Sequence, residues 1–258
     1  MKIVILAGGF GTRLSDYTHS IPKPMVEIAN IPILIHIMMH FSNYNFNEFF
    51  IATGYKSSII NDYFISISAS TNLNSNNSHL IIDNFNKDSQ KNWKVNLIDT
   101  GLDTMTGGRV KKIKSFLNNE DFMMTYGDGI SNIDLNKLKK FHETHGKIAT
   151  VTSVHPPARF GEMTINKKNE VLSFKEKPQT SSSWINGGFF VFKNSFIDYI
   201  ENEDTILEKS PLENVTADGE LMAYKHSDFW QCMDTKRDKD YLDKLYKKNK
   251  NKWPEIKI

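Results

Sequence analysis

Hydrophobic residues fall in short runs separated by polar stretches. Ile3 to Leu6 is a continuous apolar run that ends in Gly8-Gly9. Such a run, with no polar alternation, predicts a strand buried on both faces that enters a loop. Pro32 opens a helix whose apolar face carries Ile33, Ile37 and Phe41, one per turn. Phe49 to Ala52 predicts the next strand, and Ile59, Ile60 and Phe64 another helix. Val95, Leu97 and Phe122 to Thr125 add strands. Leu135, Leu138 and Phe141 mark a helix, and Ala149 to Val154 a further strand. Strands alternating with helices predict an α/β fold: a Rossmann-like, mostly parallel sheet with helices on both faces.

Some regions break this rhythm. Residues 66–92 are dominated by Asn, Ser, Asp and Lys around one apolar patch, Leu80-Ile81-Ile82. They predict a surface excursion, either a hairpin or an oligomer contact. Residues 160–192 predict a small antiparallel portion around Lys177-Pro178. Residues 236–248 predict an amphipathic helix with Tyr241, Leu242, Leu245 and Tyr246 on its apolar side. No internal repeat or Pro-rich linker divides the chain, so residues 1–258 read as a single domain.

Composition narrows the class. With 258 residues, 39% hydrophobic and 24% charged, the chain is long and apolar enough for a sizeable core. A net charge of +2 with scattered basic residues gives no footing for nucleic acid or an anionic membrane as partner. The Lys-rich C-terminal stretch reads as a solvated helix face. The single cysteine, Cys232, has no internal disulfide partner, which fits a reducing cytosol. The apolar run after Lys2 is too short for a signal peptide, and no stretch approaches the ~18–20 apolar residues that span a bilayer. The expectation is a soluble cytoplasmic protein.

The strongest chemical feature is Leu6-Ala7-Gly8-Gly9-Phe10-Gly11-Thr12-Arg13-Leu14, followed closely by Pro22-Lys23-Pro24. Glycines after a buried strand let the backbone approach a ligand, with N–H groups turned to phosphate oxygens. Arg13 and Lys23 add cations suited to a triphosphate. The loop is neither a Walker A motif nor a dinucleotide fingerprint, because no Gly-Lys-Ser/Thr follows and Leu14 stands at the third glycine. A tight turn with Arg13 at the surface is the plainer alternative. Tyr126-Gly127-Asp128-Gly129 follows the apolar run Phe122 to Thr125. Asp128 thus sits where open α/β sheets bind ligands and can reach a hydrated cation such as Mg²⁺, although a turn aspartate fits the same local pattern. Asp234 ends the run Phe229-Trp230-Gln231-Cys232-Met233 and precedes a helix, so it is either a second carboxylate for the cation or an N-cap. Glu176-Lys177-Pro178 and Asn186-Gly187-Gly188 suggest a phosphate and hydroxyl site, or by themselves a surface turn.

The order of these motifs resembles the sugar nucleotidyltransferases, and within them the glucose-1-phosphate cytidylyltransferases, from Met1 to about Leu245. Marks nearer the cytidylyltransferase branch include Thr104-Met105-Thr106-Gly107-Gly108-Arg109, Pro156-Pro157-Ala158-Arg159-Phe160-Gly161, Trp184-Ile185 and Phe229-Trp230-Gln231. The resemblance implies a Mg²⁺-dependent transfer of CMP from CTP to a small phosphorylated acceptor, most nearly α-D-glucose 1-phosphate. It implies a nucleotide site of Leu6, Ala7, Gly8, Gly9, Gly11, Thr12, Arg13, Lys23, Thr104, Arg109 and Gly127, with Arg13, Lys23 and Lys177 neutralising charge. It implies Asp128 and Asp234 as metal ligands, and Glu176, Lys177, Asn186 and Gly187 on the acceptor. It assigns residues 1–130 mainly to the nucleotide, 131–235 mainly to the acceptor and 236–258 to a C-terminal helix and tail. A homo-oligomer is the expected assembly.

The sequence departs from the family pattern at Phe10, at Cys232, at Gln179 to Ser183 and at Glu162-Met163. The last two lie near the acceptor end, which leaves open another sugar 1-phosphate or a non-sugar acceptor such as phosphoglutamine. A catalytically silent nucleotide-binding protein is a further alternative; retention of Arg13, Lys23, Asp128 and Lys177 together speaks against it. A glycosyltransferase would need an Asp-x-Asp motif, which Asp128-Gly129-Ile130 does not supply. The histidines show no His-Glu-x-x-His pattern, and Trp93, Trp184 and Trp230 read as core or wall residues.

Overall fold

Lys2–Leu6 forms β1, and every residue of it is buried. Ile3 and Ile5 enter one apolar cluster while Val4 and Leu6 enter a second on the opposite face. The period-two alternation of a strand is thus hidden in the sequence, because both faces are covered. The structure is a computed structural model and describes residues 1–67, 74–76, 79–85, 92–156, 162–175 and 183–248.

After β1 come the single-turn α1 (Ser15–Thr18), the short pair β2 (Glu27–Ile28) and β3 (Ile31–Pro32), and then α2 (Ile33–Asn43). β4 (Glu48–Thr53), α3 (Ser57–Ile67), β5 (Asn74–Asn76), β6 (His79–Phe85) and β7 (Trp93–Asp99) follow. The middle of the chain holds α4 (Thr106–Ile113), β8 (Phe122–Tyr126), β9 (Gly129–Ser131), α5 (Leu135–His145) and β10 (Ala149–Val154). The rest forms β11 (Glu162–Ile165), β12 (Val171–Lys175), β13 (Ile185–Phe192), α6 (Ser210–Ala217), β14 (Leu221–His226), β15 (Trp230–Cys232) and α7 (Lys236–Lys248).

The main sheet has the order β14-β10-β13-β8-β1-β4-β7-β6-β5. The expected parallel block is its centre, where β8, β1, β4 and β7 run parallel. On one side β13 lies antiparallel between β8 and β10, and on the other β6 lies antiparallel to β7. The sheet is therefore mixed. The 66–92 excursion supplies the β5–β6 hairpin and caps the β7 edge with it. Within the expected antiparallel stretch of residues 160–192, β11 and β12 form a separate hairpin that turns at 166–170, residues 185–192 join the main sheet as β13, and Lys177-Pro178 lies outside the described residues.

Helices cover both faces. α2, α3, α5 and α7 supply Ile33, Phe41, Ile60, Phe64, Leu138 and Leu242 to one cluster. α4 and α6 supply Val110, Ile113 and Val215 to the other, with Phe196 and Ile197 from the turn after β13. Local chemistry sets the helix ends: Asp134 caps α5 by accepting from Lys137 N at 2.9 Å, and Gly146 stops it in the left-handed region. Among the described residues no helix is long and apolar enough to cross a membrane.

Candidate active site

The parallel centre brings the ends of β1, β4, β7 and β8 to one edge. From β1 the chain adds β4 and β7 on one side, then crosses over to add β8 on the other. The crevice at such a reversal of strand order is where open α/β sheets take ligands. A cavity of about 730 Å³ lies there. It is lined by Leu6, Ala7, Gly8, Gly9, Gly11, Thr12, Arg13, Lys23, Thr104, Arg109, Gly127, Asp128, Asn186, Gly187 and Asp234. Segments far apart in sequence thus meet at one place. Glu176 and Lys177 lie outside the described residues.

The loop after β1 is held from behind. Arg109 is buried in α4, and its guanidinium donates to Gly8 O, Thr53 O, Gly101 O and Leu102 O and to Thr100 Oγ1 at 2.6–3.2 Å. These acceptors end β1, β4 and β7, so one side chain ties three strand ends together. A Cβ on Gly8 would meet Arg109 Nη1 at 2.1 Å, and one on Gly54 would meet it at 2.5 Å. Gly8 therefore makes room for a guanidinium. Thr104 is also turned inward: it donates to Thr100 O at 2.6 Å and accepts from Lys112 Nζ at 3.0 Å. Both residues stand beside the loop after β1, and their polar groups are engaged by the protein. The N–H groups of Gly9, Phe10 and Gly11 donate to no backbone carbonyl among the described residues.

The front of the site is an ion cluster. Lys23 Nζ lies 2.5 Å from Asp128 Oδ2 and 2.8 Å from Asp234 Oδ1. Arg13 Nη1 lies 2.9 Å from Asp234 Oδ2. Burial acts to lower the pKa of Lys23, but Asp128 and Asp234 outweigh it and hold the ammonium above its usual 10.5. Burial acts to raise Asp234, while Lys23 and Arg13 hold it below the usual carboxylate range. One cation therefore already touches both carboxylates. Cys232, 3.7 Å from Asp234, is pushed up to about 12 by burial and by the neighbouring carboxylates, so it stays a thiol.

Asp128 and Asp234 meet because β9 pairs antiparallel with β15, with Cys232 opposite Gly129. Met233 N donates to Asp128 O at 2.9 Å and closes the pairing. The capping role open to Asp234 goes to its neighbours: Thr235 Oγ1 accepts from Asp238 N at 3.3 Å, and Asp238 Oδ2 accepts from Thr235 N at 2.9 Å. This reciprocal pair leaves the Asp234 carboxylate facing Lys23 and Arg13. Among the described residues no group of three or more His, Cys, Asp or Glu converges as metal ligands.

Beside β8, β13 runs antiparallel, so its first residues reach the same edge. Asn186 Oδ1 accepts from Gly188 N at 2.8 Å, and Gly187 O accepts from Trp230 Nε1 at 2.6 Å. Residue-level reasoning missed Glu208, which lines the cavity. Its carboxylate accepts from the Tyr126 hydroxyl and, at 2.7 Å, from Thr106 Oγ1. Burial and Glu208 push the Tyr126 phenol well above 10, so it stays a donor. Nothing in Leu207-Glu208-Lys209 signals this role, because it arises from a contact with residues about eighty to a hundred positions earlier.

The nucleotidyl transferase family model matches residues 2–250. The chain is 44% identical to the glucose-1-phosphate cytidylyltransferase of Salmonella typhimurium over 256 residues, covering 98% of each. It is 38% identical to the probable glucose-1-phosphate cytidylyltransferase of Bacillus subtilis, covering 98% of this chain and 99% of that one. Among solved structures, HddC from Yersinia pseudotuberculosis complexed with GMP-PN superposes with a TM-score of 0.68 at 23% identity, over 95% of this chain and 99% of that one. That likeness is one of fold.

Proposed function

The chain belongs to the sugar nucleotidyltransferases, the nucleotidyl transferase family, and from that premise we propose that it transfers CMP from CTP to α-D-glucose 1-phosphate, giving CDP-glucose and pyrophosphate. The observation that carries the reaction type is the convergence of Lys23 and Arg13 with Asp128 and Asp234, beside the open N–H groups of the loop after β1. The choice of CTP and of glucose 1-phosphate is supported by similarity to the Salmonella protein.

An oxygen of the acceptor phosphate attacks the α-phosphorus of CTP. The bond from that phosphorus to the bridging oxygen breaks, and pyrophosphate leaves with the electron pair. The attacking phosphate is already ionised, so the step needs no strong general base. Lys23 and Arg13 take the triphosphate charge, and Lys177 takes the acceptor phosphate. Glu176, Asn186 and Gly187 orient the acceptor. The Lys23 ammonium marks a point where one cation touches both Asp128 and Asp234; this fits Mg²⁺, which takes one or two carboxylates plus phosphate oxygens. Bound there, the metal would supply further charge neutralisation on the triphosphate. The working form is taken as a homo-oligomer, which the exposed apolar face of β11 and β12 supports.

The test is pyrophosphate release with CTP, UTP, dTTP, GTP and ATP against a panel of phosphates. Cytosine presents an amino donor and a ring acceptor where uracil and thymine reverse the pattern. A site that buries this edge leaves polar groups unpaired with the wrong base. CTP is expected to exceed UTP and dTTP by at least about tenfold, or ~1.4 kcal/mol. Equal rates with UTP would remove the cytidylyl assignment and leave the reaction class. Turnover with an amino-acid phosphate but none with glucose 1-phosphate would remove the sugar.

A further inference from the structure

The ion cluster in the crevice is already balanced. Asp128 and Asp234 face Lys23, and Asp234 also faces Arg13. The formal charges of these four groups cancel. A divalent cation bridging Asp128 Oδ2 and Asp234 Oδ1 would need the position that the Lys23 ammonium now holds, 2.5 Å from one and 2.8 Å from the other. We infer that Lys23 is the resident counterion of the Asp128–Asp234 pair and excludes a free divalent cation until a triphosphate draws Lys23 and Arg13 away. This rests on the reading of Asp128 and Asp234 as the cation-holding pair.

The geometry allows such an exchange. Lys23 begins a short turn that Pro22 enters in an extended conformation, and its Cβ would lie 3.0 Å from a Cβ on Gly11. The side chain's outer bonds could carry the ammonium from the carboxylates to a bound phosphate. Arg13 is mostly exposed, so moving it costs little desolvation. The open N–H groups of Gly9, Phe10 and Gly11, in the cavity that both cations also line, would receive a triphosphate. Its oxygens offer Lys23 and Arg13 new partners as the carboxylates are released. A neutral cluster gives a free divalent ion no net attraction, and an ammonium at contact distance repels it. Metal and nucleotide therefore enter together.

The test is a titration of the full-length protein with Mn²⁺, in which the free ion is followed by paramagnetic resonance without acceptor. Wild-type protein alone should bind Mn²⁺ weakly, and with saturating CTP it should take up more Mn²⁺ than the same CTP chelates without protein. Lys23→Met removes the ammonium, and the variant without CTP should bind Mn²⁺ at least about tenfold more tightly than wild type. Lys23→Arg keeps the charge and should stay weak. Adding Asp128→Asn to Lys23→Met should abolish the gain. Equal affinity in wild type and Lys23→Met overturns the inference while leaving the metal pair intact. A gain that survives Asp128→Asn places the ion elsewhere and overturns the metal pair as well. If Lys23→Met fails to fold, Lys23→Gln serves in its place. Tight binding of Mn²⁺ by wild-type protein without CTP overturns the inference on its own.

Discussion

Lys23 touches Asp128 and Asp234 together, while Asp234 alone also touches Arg13. Their replacements should therefore act on turnover more than on folding, since each carboxylate is partly open to the cavity. Asp128→Asn and Asp234→Asn are each expected to fold normally by circular dichroism and to lose ~2–4 kcal/mol of transition-state stabilisation. Normal turnover with Mg²⁺ in both variants would refute the assignment. Arg109 is the opposite case. Its donors end on the carbonyls of Gly8, Thr53, Gly101 and Leu102 and on Thr100, with no anion among them. Lysine has a compact ammonium that cannot spread over these acceptors. Arg109→Lys should cost about 2–4 kcal/mol in urea unfolding; a change within about 0.5 kcal/mol would show the tie to be dispensable. The family resemblance implies that Arg109 lies near the nucleotide. It does not show which way the guanidinium points, because that depends on Gly8 and Gly54 leaving the space.

At the scale of elements, α2 was readable and α4 was not. Ile33, Ile37 and Phe41 form a stripe of helical period, and all three are buried. Thr106-Gly107-Gly108 instead reads as a loop, because glycine disfavours helix interiors. The reason for glycine is tertiary: a Cβ on Gly108 would meet Glu203 O at 2.2 Å, and one on Gly107 would meet Thr205 O at 2.7 Å. β9 and β15 were also missed as a pair, since three-residue strands carry no usable period. α2 also buries His36 and His40, about which the sequence pattern says nothing. Burial lowers both to about 4. Their folded pKa lies below the unfolded 6.5, so the unfolded chain binds more protons between those values. Stability should fall as pH drops from 6.5 towards 4, by on the order of 2–3 kcal/mol per histidine. His40→Gln removes one titration. The loss of urea midpoint between about pH 7 and about pH 4.5 should be smaller in that variant than in wild type. An equal loss would mean that His40 is not a source of the acid sensitivity.

At the scale of the whole molecule, the order of motifs announced the reaction, and the sheet explains why they must meet. Gly8 follows β1, Asp128 follows β8 and Asn186 lies at the start of β13, so the order of the main sheet brings these three to one edge, and the separate β9–β15 pair adds Asp234. Assembly is the property this architecture leaves open, and β11–β12 bears on it. Among the described residues this hairpin pairs with no other strand. Met163 stands opposite Phe174 across it. Met163, Ile165, Val171, Leu172 and Phe174 are 53–65% exposed. A lone two-stranded sheet is marginal in water, and a contiguous apolar face of this kind marks a contact surface. The same face on a second copy would cover it by symmetry. Size-exclusion chromatography with light scattering should give a multiple of the single-chain mass. Phe174→Glu places a charge in the middle of the patch on a residue that takes no part in the main core, so it should lower the assembly state without unfolding the chain. Wild-type protein that elutes as a single chain would remove the oligomer altogether. An assembly unchanged by Phe174→Glu would place the contact on another face.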